Sequence, residues 1–281
     1  MMKVAVAGAG VMGAGIALSS IQAGYTTLLF DVNESALAKG EAYIRKELDK
    51  AVDKGRLTSE KAQSMLELFS VVTDVAELRA DIIIEAVLEN LDIKQTLFRQ
   101  LEAVNPAETI LATNTSSIPI TQIARGLQYP GRVVGVHFFN PAHIMKLVEI
   151  ISGAETNCEV AKKAFEWAES LGKTAVYTAD APGFIVNRVA RHFYVEGLKI
   201  LEEQVAPLES IDRLCEASGF KMGPFRLMDL IGVDTNYAVT GSMYSLFGQD
   251  AKFRPSRIQK QKVDAGHHGR KAGQGFYRYE E

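Results

Sequence analysis

Cysteine is almost missing from this chain: two residues in 281, Cys158 and Cys215, lie 57 positions apart, with no Cys-x-x-Cys and no histidines at ligand spacing. That excludes a disulfide framework and a structural zinc site, and a reducing, cytoplasmic compartment is the setting it suggests. An excess of positive charge is missing too. With 31 Lys and Arg against 34 Asp and Glu, a net charge of −3 offers no basis for bulk nucleic-acid binding. No membrane-length apolar run survives inspection either. Val4 to Phe30 carries no charge, yet five glycines (Gly8, Gly10, Gly13, Gly15 and Gly24) with Ser19, Ser20 and Gln22 break it into strand, turn and helix, and only Lys3 flanks it with positive charge. Internal repeats and low-complexity segments are absent. What remains is an ordinary globular composition, 47% hydrophobic and 23% charged, long enough for one large or two medium domains.

Periodicity gives the order of elements. Val4 to Ala7 reads as a buried strand, Met12 to Ala23 as a small-residue helix ending at Gly24, and Thr26 to Phe30 as a second strand. Asn33 caps a long charged helix to about Asp53, and a second helix from about Thr58 to Phe69 completes an inserted helical hairpin. Strands at Ser70–Thr73, Asp81–Ala86 and Thr109–Thr113 alternate with a helix from Leu91 to Val104. Strands over Arg132–Phe139 and Met145–Ile151, a helix begun by a Thr156-x-x-Glu159 capping box and stopped at Gly172, and a strand at Thr174–Thr178 complete the sheet. The alternation predicts an α/β, Rossmann-like, doubly wound sheet over residues 1–181. Beyond Ala181-Pro182-Gly183, apolar positions recur at helical spacing over Phe184–Leu201, Leu208–Ala217 and Phe225–Phe247, which predicts an all-helical second domain over residues 182–281.

Gly8-Ala9-Gly10-Val11-Met12-Gly13 follows a strand and opens a helix, the context in which such a glycine pattern binds a dinucleotide. The first glycine permits the tight turn, the second lets a pyrophosphate approach the backbone, and the third lets helix and strand pack closely. Asp31 ends the second strand 23 positions after Gly8, where a carboxylate accepts both ribose hydroxyls of an adenosine and repels a 2′-phosphate. No arginine follows closely, so the cofactor expected is NAD rather than NADP. A glycine-rich turn beside a helix-capping aspartate is the bland alternative.

A dinucleotide site does not name a reaction. Of five histidines, His267 and His268 lie in a polar tail, His192 on a helix and His143 in a loop after Asn140-Pro141, and a solvated surface is the default for the tail pair and His192. His137 differs. It interrupts the apolar run Val133 to Phe139, and twelve residues later Glu149 interrupts Leu147 to Ile151. Neighbouring strands would bring imidazole and carboxylate together, either as an acid/base dyad or as a structural ion pair.

The segments Asn114-Thr115-Ser116-Ser117, His137-Phe138-Phe139-Asn140-Pro141, Met145 to Glu149, Pro182-Gly183-Phe184-Ile185-Val186-Asn187-Arg188, Met222-Gly223-Pro224-Phe225 and Gly269 to Tyr277 together resemble the short-form 3-hydroxyacyl-CoA dehydrogenases, the 3-hydroxybutyryl-CoA dehydrogenases among them. The resemblance runs in order along essentially the whole chain. It implies an NAD-dependent, reversible oxidation of a (3S)-3-hydroxyacyl-CoA in fatty acid metabolism, with His137 as general acid/base and Glu149 as its electrostatic partner. Ser116 and Asn187 would hold the acyl-CoA thioester, so the helical domain would have to close over the cofactor. Glu89, Lys94, Ser116, Asn140 and Lys271 match positions that line NAD in the family, although Glu89 and Lys94 read by themselves as a solvated loop acid and helix base. Lys50, Lys54 and Arg56 fall where the family meets coenzyme A, with complementation of a helix dipole as the alternative. A homodimer joined through the helical domain is implied as well. No metal, membrane or nucleic-acid partner is expected.

The chain departs from the family after Asn140-Pro141, where many relatives carry a second proline and this one has Ala142-His143-Ile144. That leaves the acyl chain open, a carboxylated one such as 3-hydroxyadipyl-CoA included. The competing readings are a dehydrogenase of a free hydroxy or sugar acid and a non-catalytic NAD-binding protein of the same fold. A hydrolase has no support, since no Gly-x-Ser-x-Gly elbow occurs.

Overall fold

The computed structural model describes residues 2–279. The chain divides at Ala181/Pro182 into two compact units. The first alternates strand and helix: β1 (Lys3–Ala7), α1 (Val11–Gln22), β2 (Thr26–Phe30), the pair α2 (Glu34–Asp53) and α3 (Ser59–Leu66), β3 (Phe69–Val72), β4 (Ile82–Glu85), α4 (Leu91–Val104) and β5 (Ile110–Thr113). It continues through α5 (Ile120–Ile123), β6 (Val133–Phe138), β7 (Leu147–Ser152), α6 (Cys158–Ser170) and β8 (Thr174–Ala179).

The eight strands of the described residues form one sheet in the order β3-β2-β1-β4-β5-β6-β7-β8. Strands β4, β5 and β6 are buried along their whole length, as runs such as Ile82-Ile83-Ile84 require when helices cover both faces. The chain runs outward from β1 in one direction, then returns to place β4 on its other side, so the C-terminal ends of β1 and β4 flank the crevice where such sheets bind ligands. Each pairing is parallel except β6 with β7, which is antiparallel.

Local chemistry sets most boundaries. Asn33 caps α2 by accepting from the Ser35 and Ala36 amides at 2.9 and 3.2 Å. The hairpin's second helix stops at Leu66 rather than near Phe69, which opens β3 instead. The predicted capping box at Thr156 is not the one used. Asn157 caps α6 through the Glu159 amide, and the Thr156 hydroxyl is committed to the Val133 carbonyl at 2.7 Å and the Gly153 amide at 2.8 Å.

The second unit holds α7 (Val186–Glu202), α8 (Leu208–Ala217), α9 (Pro224–Ile231), α10 (Val233–Leu246) and α11 (Arg257–Asp264), with no strand among the described residues. The apolar row from Phe225 to Phe247 is two helices, not one, because the chain turns at Gly232 with φ +107°. Helix α11, too polar to show an apolar period, escapes a sequence reading. Two buried carboxylates organise this unit. Asp212 accepts from the Phe225 and Arg226 amides at the start of α9 and from the Tyr277 hydroxyl; Asp229 accepts from the Phe276 and Tyr277 amides and the Tyr279 hydroxyl. A Cβ on Gly223 would stand 2.2 Å from Asp212 Oδ1, and one on Gly275 only 2.0 Å from Asp229 Oδ1. The Met222-Gly223-Pro224-Phe225 and Gly275-Phe276-Tyr277 segments are therefore packing devices around two acids.

Candidate active site

The glycine loop joins β1 to α1. Gly8 has φ +111°, and a Cβ there would lie 2.5 Å from the Ala86 carbonyl oxygen; on Gly13 it would lie 1.7 Å from the Gly8 oxygen. Both glycines are required by the protein's own packing. Gly10 is different, because a Cβ there meets nothing within 4 Å, so its smallness leaves open the space over the N-terminus of α1. Asp31 follows β2 and ties itself to this loop, accepting from the Ala9 amide at 2.9 Å and, through its other oxygen, from the Asn33 amide at 2.9 Å.

A cavity of about 700 Å³ opens beside Gly8, Gly10 and Asp31, walled by Val32, Val87, Leu88 and Ile93. Val32 and Leu88 are 82% and 74% exposed, an apolar pair left in solvent at the mouth of a cavity. Its size, its apolar walls and the carboxylate at its edge fit the adenosine half of a dinucleotide, and the open space at Gly10 fits the pyrophosphate. A second cavity of about 720 Å³ lies at the opposite ends of the strands, by the first residues of β4 and β5, away from the end where parallel sheets bind ligands.

His137 and Glu149 face each other in register across β6 and β7. Both are buried, and His137 Nδ1 is 2.8 Å from Glu149 Oε2. The antiparallel pairing makes this possible, since residues opposed across such a ladder point to the same face. Next to it, Asn114 Oδ1 accepts from the Phe138 amide at 2.8 Å, fixing the backbone that carries the imidazole.

Lys94 is not on a solvated face. Its side chain is 1% exposed, its ammonium 2.6 Å from Glu85 Oε1 and 3.2 Å from Glu89 Oε2. Glu89 Oε1 in turn accepts from the Thr115 hydroxyl at 2.6 Å, the Ser116 amide at 2.9 Å and the Ser117 amide at 3.2 Å. Burial by itself pushes the Glu89 carboxyl up; the Lys94 charge and the bonds from Thr115 and Ser116 outweigh it and hold the group below the ordinary glutamate range. Glu85 moves the other way, raised by complete burial against the opposing pull of Lys94. Ser116 thus stands on a loop whose amides are gathered by one carboxylate oxygen.

His143 belongs to the hairpin side of the first unit. Its Nδ1 is 3.3 Å from the Tyr43 hydroxyl and its Nε2 3.6 Å from Glu47 Oε2, both on α2. Lys50 pairs with the same glutamate at 2.6 Å, and Lys54 caps the end of α2 as an exposed side chain. Asn140 is exposed and precedes a cis Pro141. In the helical unit, Asn187 lies in the first turn of α7, Lys271 pairs with Asp234 at 2.7 Å, and His268 is half-buried against the Val263 carbonyl rather than solvated.

Sequence reasoning missed Glu85 and Thr113. The signal was there: Glu85 ends an apolar strand as Glu149 interrupts one, and a carboxylate so placed needs partners. It also passed over Val32, Leu88 and Ile93, single apolar residues whose common use appears only when two loops and the start of α4 meet at one cavity.

Comparison with known proteins finds relatives along the whole chain. The family model described as 3-hydroxyacyl-CoA dehydrogenase, NAD binding domain, matches residues 3–181, and the C-terminal domain model of the same family matches 183–279. A 3-hydroxyadipyl-CoA dehydrogenase of Escherichia coli is 48% identical over 99% of this chain, which spans 59% of that relative's length. A probable 3-hydroxybutyryl-CoA dehydrogenase of Bacillus subtilis is 41% identical, with 99% of this chain and 98% of the relative covered. Among solved structures, an (S)-3-hydroxybutyryl-CoA dehydrogenase from Ralstonia eutropha superposes with a TM-score of 0.95 at 35% identity over the full length of both chains.

Proposed function

The chain belongs to the 3-hydroxyacyl-CoA dehydrogenase family, and on that premise we propose that it catalyses the reversible, NAD-dependent oxidation of a (3S)-3-hydroxyacyl-CoA to the 3-oxoacyl-CoA. The observation that carries the reading is the His137–Glu149 contact of 2.8 Å on a sheet that also holds a dinucleotide crevice. The Glu149 carboxylate accepts from Nδ1–H, which fixes the tautomer and assigns proton transfer to Nε2. Nε2 takes the proton of the 3-hydroxyl as the C3–O bond gains its double-bond character, and returns it in the reverse direction. The nicotinamide, when bound, supplies the acceptor for the hydride leaving C3. Ser116 and Asn187 offer neutral donors to the reacting oxygen and the thioester region. Asp31 and the α1 N-terminus hold adenosine ribose and pyrophosphate, Glu89, Asn140 and Lys271 complete the cofactor set, and the buried Lys94 serves it through Glu89. Lys50 and Lys54 meet the coenzyme A end.

Short 3-hydroxyacyl groups are the substrates we assign first, since two of the relatives above are 3-hydroxybutyryl-CoA enzymes, with a carboxylated acyl group as the second reading on the strength of the 3-hydroxyadipyl relative. The apolar residues that the helical unit exposes, Val189, Leu214 and Phe220 among them, support assembly with a second copy of the chain, which light scattering measures. Two unpaired cysteines fit a reducing, cytoplasmic setting. The deciding experiment follows NADH oxidation with 3-oxoacyl-CoAs from C4 to C10, 3-oxoadipyl-CoA and free oxo acids. Turnover confined to the free acids, or none at all, overturns the reading.

A further inference from the structure

Glu85 is wholly buried at the end of β4, and all its bonds lead toward the two parts of the site. Its Oε1 accepts from Lys94 Nζ at 2.6 Å and from the Val87 amide at 2.8 Å; its Oε2 accepts from the Thr113 hydroxyl at 2.7 Å. Val87 is in the wall of the dinucleotide cavity. Thr113 ends β5, and its hydroxyl oxygen also receives the Thr115 amide at 3.2 Å, at the entry to the serine loop. Lys94 passes the contact on to Glu89, whose other oxygen gathers the amides of Ser116 and Ser117. One carboxylate is therefore joined to the Ser116 loop by two routes and to the cofactor wall by a third.

A carboxylate with no solvent access is costly to keep unless every lone pair is used and a cation stands beside it. A packing role alone would be met more cheaply by an apolar residue on a strand that is otherwise Ile-Ile-Ile. What the charge adds is direction, because a buried ammonium held by two carboxylates has one geometry. We propose that Glu85 is a positioning residue for the reaction: it sets the Ser116 loop through Lys94–Glu89 and through Thr113, without itself touching substrate or cofactor. The inference rests on the activity reading above and deepens it.

The test is a double-mutant cycle on the full chain with Glu85→Gln, Lys94→Met and the double variant, measuring kcat, both KM values and the dissociation constant of NADH by its fluorescence. Glu85→Gln keeps shape and removes the charge. It should bind NADH at full stoichiometry, lower kcat with 3-oxoacyl-CoA by about 10–100-fold, the usual consequence of a displaced substrate-positioning group, and raise the acyl-CoA KM. The double variant should be no worse than the poorer single variant within about 2-fold, since both act along one path. Additive losses, wild-type kinetics in Glu85→Gln, or a loss that only tracks the folded fraction with unchanged KM values overturn the proposal. If the wild-type chain turns over no 3-oxoacyl-CoA, the activity reading fails by itself, and the same cycle read on NADH affinity decides whether Glu85 acts through Lys94: coupled losses support it and additive ones overturn it.

Discussion

His137 and Glu149 are opposed across the single antiparallel pairing of the described sheet, with 2.8 Å between Nδ1 and Oε2. Were β6 and β7 parallel, as their neighbours are, these two positions would not be register partners. The reversal of β7 is what gives the imidazole its carboxylate. Replacing His137 with Gln should lower kcat by about 10²–10⁴-fold, the ordinary value of a positioned proton-transfer group, and leave NADH binding within a few-fold of wild type. Glu149→Gln should leave the ring between its strands but remove the carboxylate that fixes its tautomer, giving a smaller loss of kcat than His137→Gln. Steady-state rates over pH 6–9 check both.

The loop glycines separate folding from binding. Gly13→Ala forces a Cβ to 1.7 Å from a backbone oxygen, so the loop must move and thermal stability should drop by several degrees or more. Gly10→Ala has open space around its Cβ and should melt like the wild type while losing NADH affinity, because the new methyl occupies the approach to the α1 N-terminus. Melting curves with and without NADH distinguish them. Equal stability loss in both variants contradicts this division.

The proposed role of Asp31 in cofactor choice is open to direct test. Removing it by Asp31→Ala takes away a charged acceptor for the ribose hydroxyls and loosens the Ala9 amide, and the NADH dissociation constant should rise by about 10–100-fold. The rejection of NADPH should weaken in the same variant, narrowing the ratio of the two kcat/KM values. An unchanged ratio would show that discrimination lies elsewhere.

The loop after β6 should respond to acid through His143. Burial lowers this imidazole from its ordinary value of 6.5, with Lys173 and Lys50 acting in the same direction and Glu47 opposing. The unfolded chain therefore binds the proton more readily, so the contribution of neutral His143 is complete above the ordinary imidazole range and declines as pH falls through it. Between pH 7.5 and 5.5 the wild type should lose more Tm than His143→Gln, which has no imidazole to titrate. Parallel curves for the two proteins would place the pH response at other groups.

Much of this is legible in the amino-acid sequence. The alternation of short apolar strands with helices predicts the doubly wound sheet, and glycines at positions 8, 10 and 13 with an acid at 31 predict the crevice. His137 and Glu149 stand out because a polar residue inside an apolar strand demands a partner. Other features were hidden for identifiable reasons. Thr156 looked like a helix cap until the Val133 carbonyl claimed its hydroxyl, and Lys94 looked solvated because helix position alone does not reveal which face a loop will cover. The break at Gly232 sits within an apolar row that helical periodicity reads straight through.

Sequence by itself determined the order of strands along the chain, the glycine turn and the kinds of chemistry carried, because these follow from local sterics and from which side chains water tolerates. Only the tertiary structure decided partners: that β7 turns antiparallel to oppose Glu149 to His137, that Lys94 is drawn inside between two carboxylates, and that Asp212 and Asp229 hold the end of the helical unit in place. The physical reason is that a buried polar atom is satisfied by whatever the fold brings within about 3 Å, and strand register and helix placement, which link residues far apart in the chain, select that neighbour.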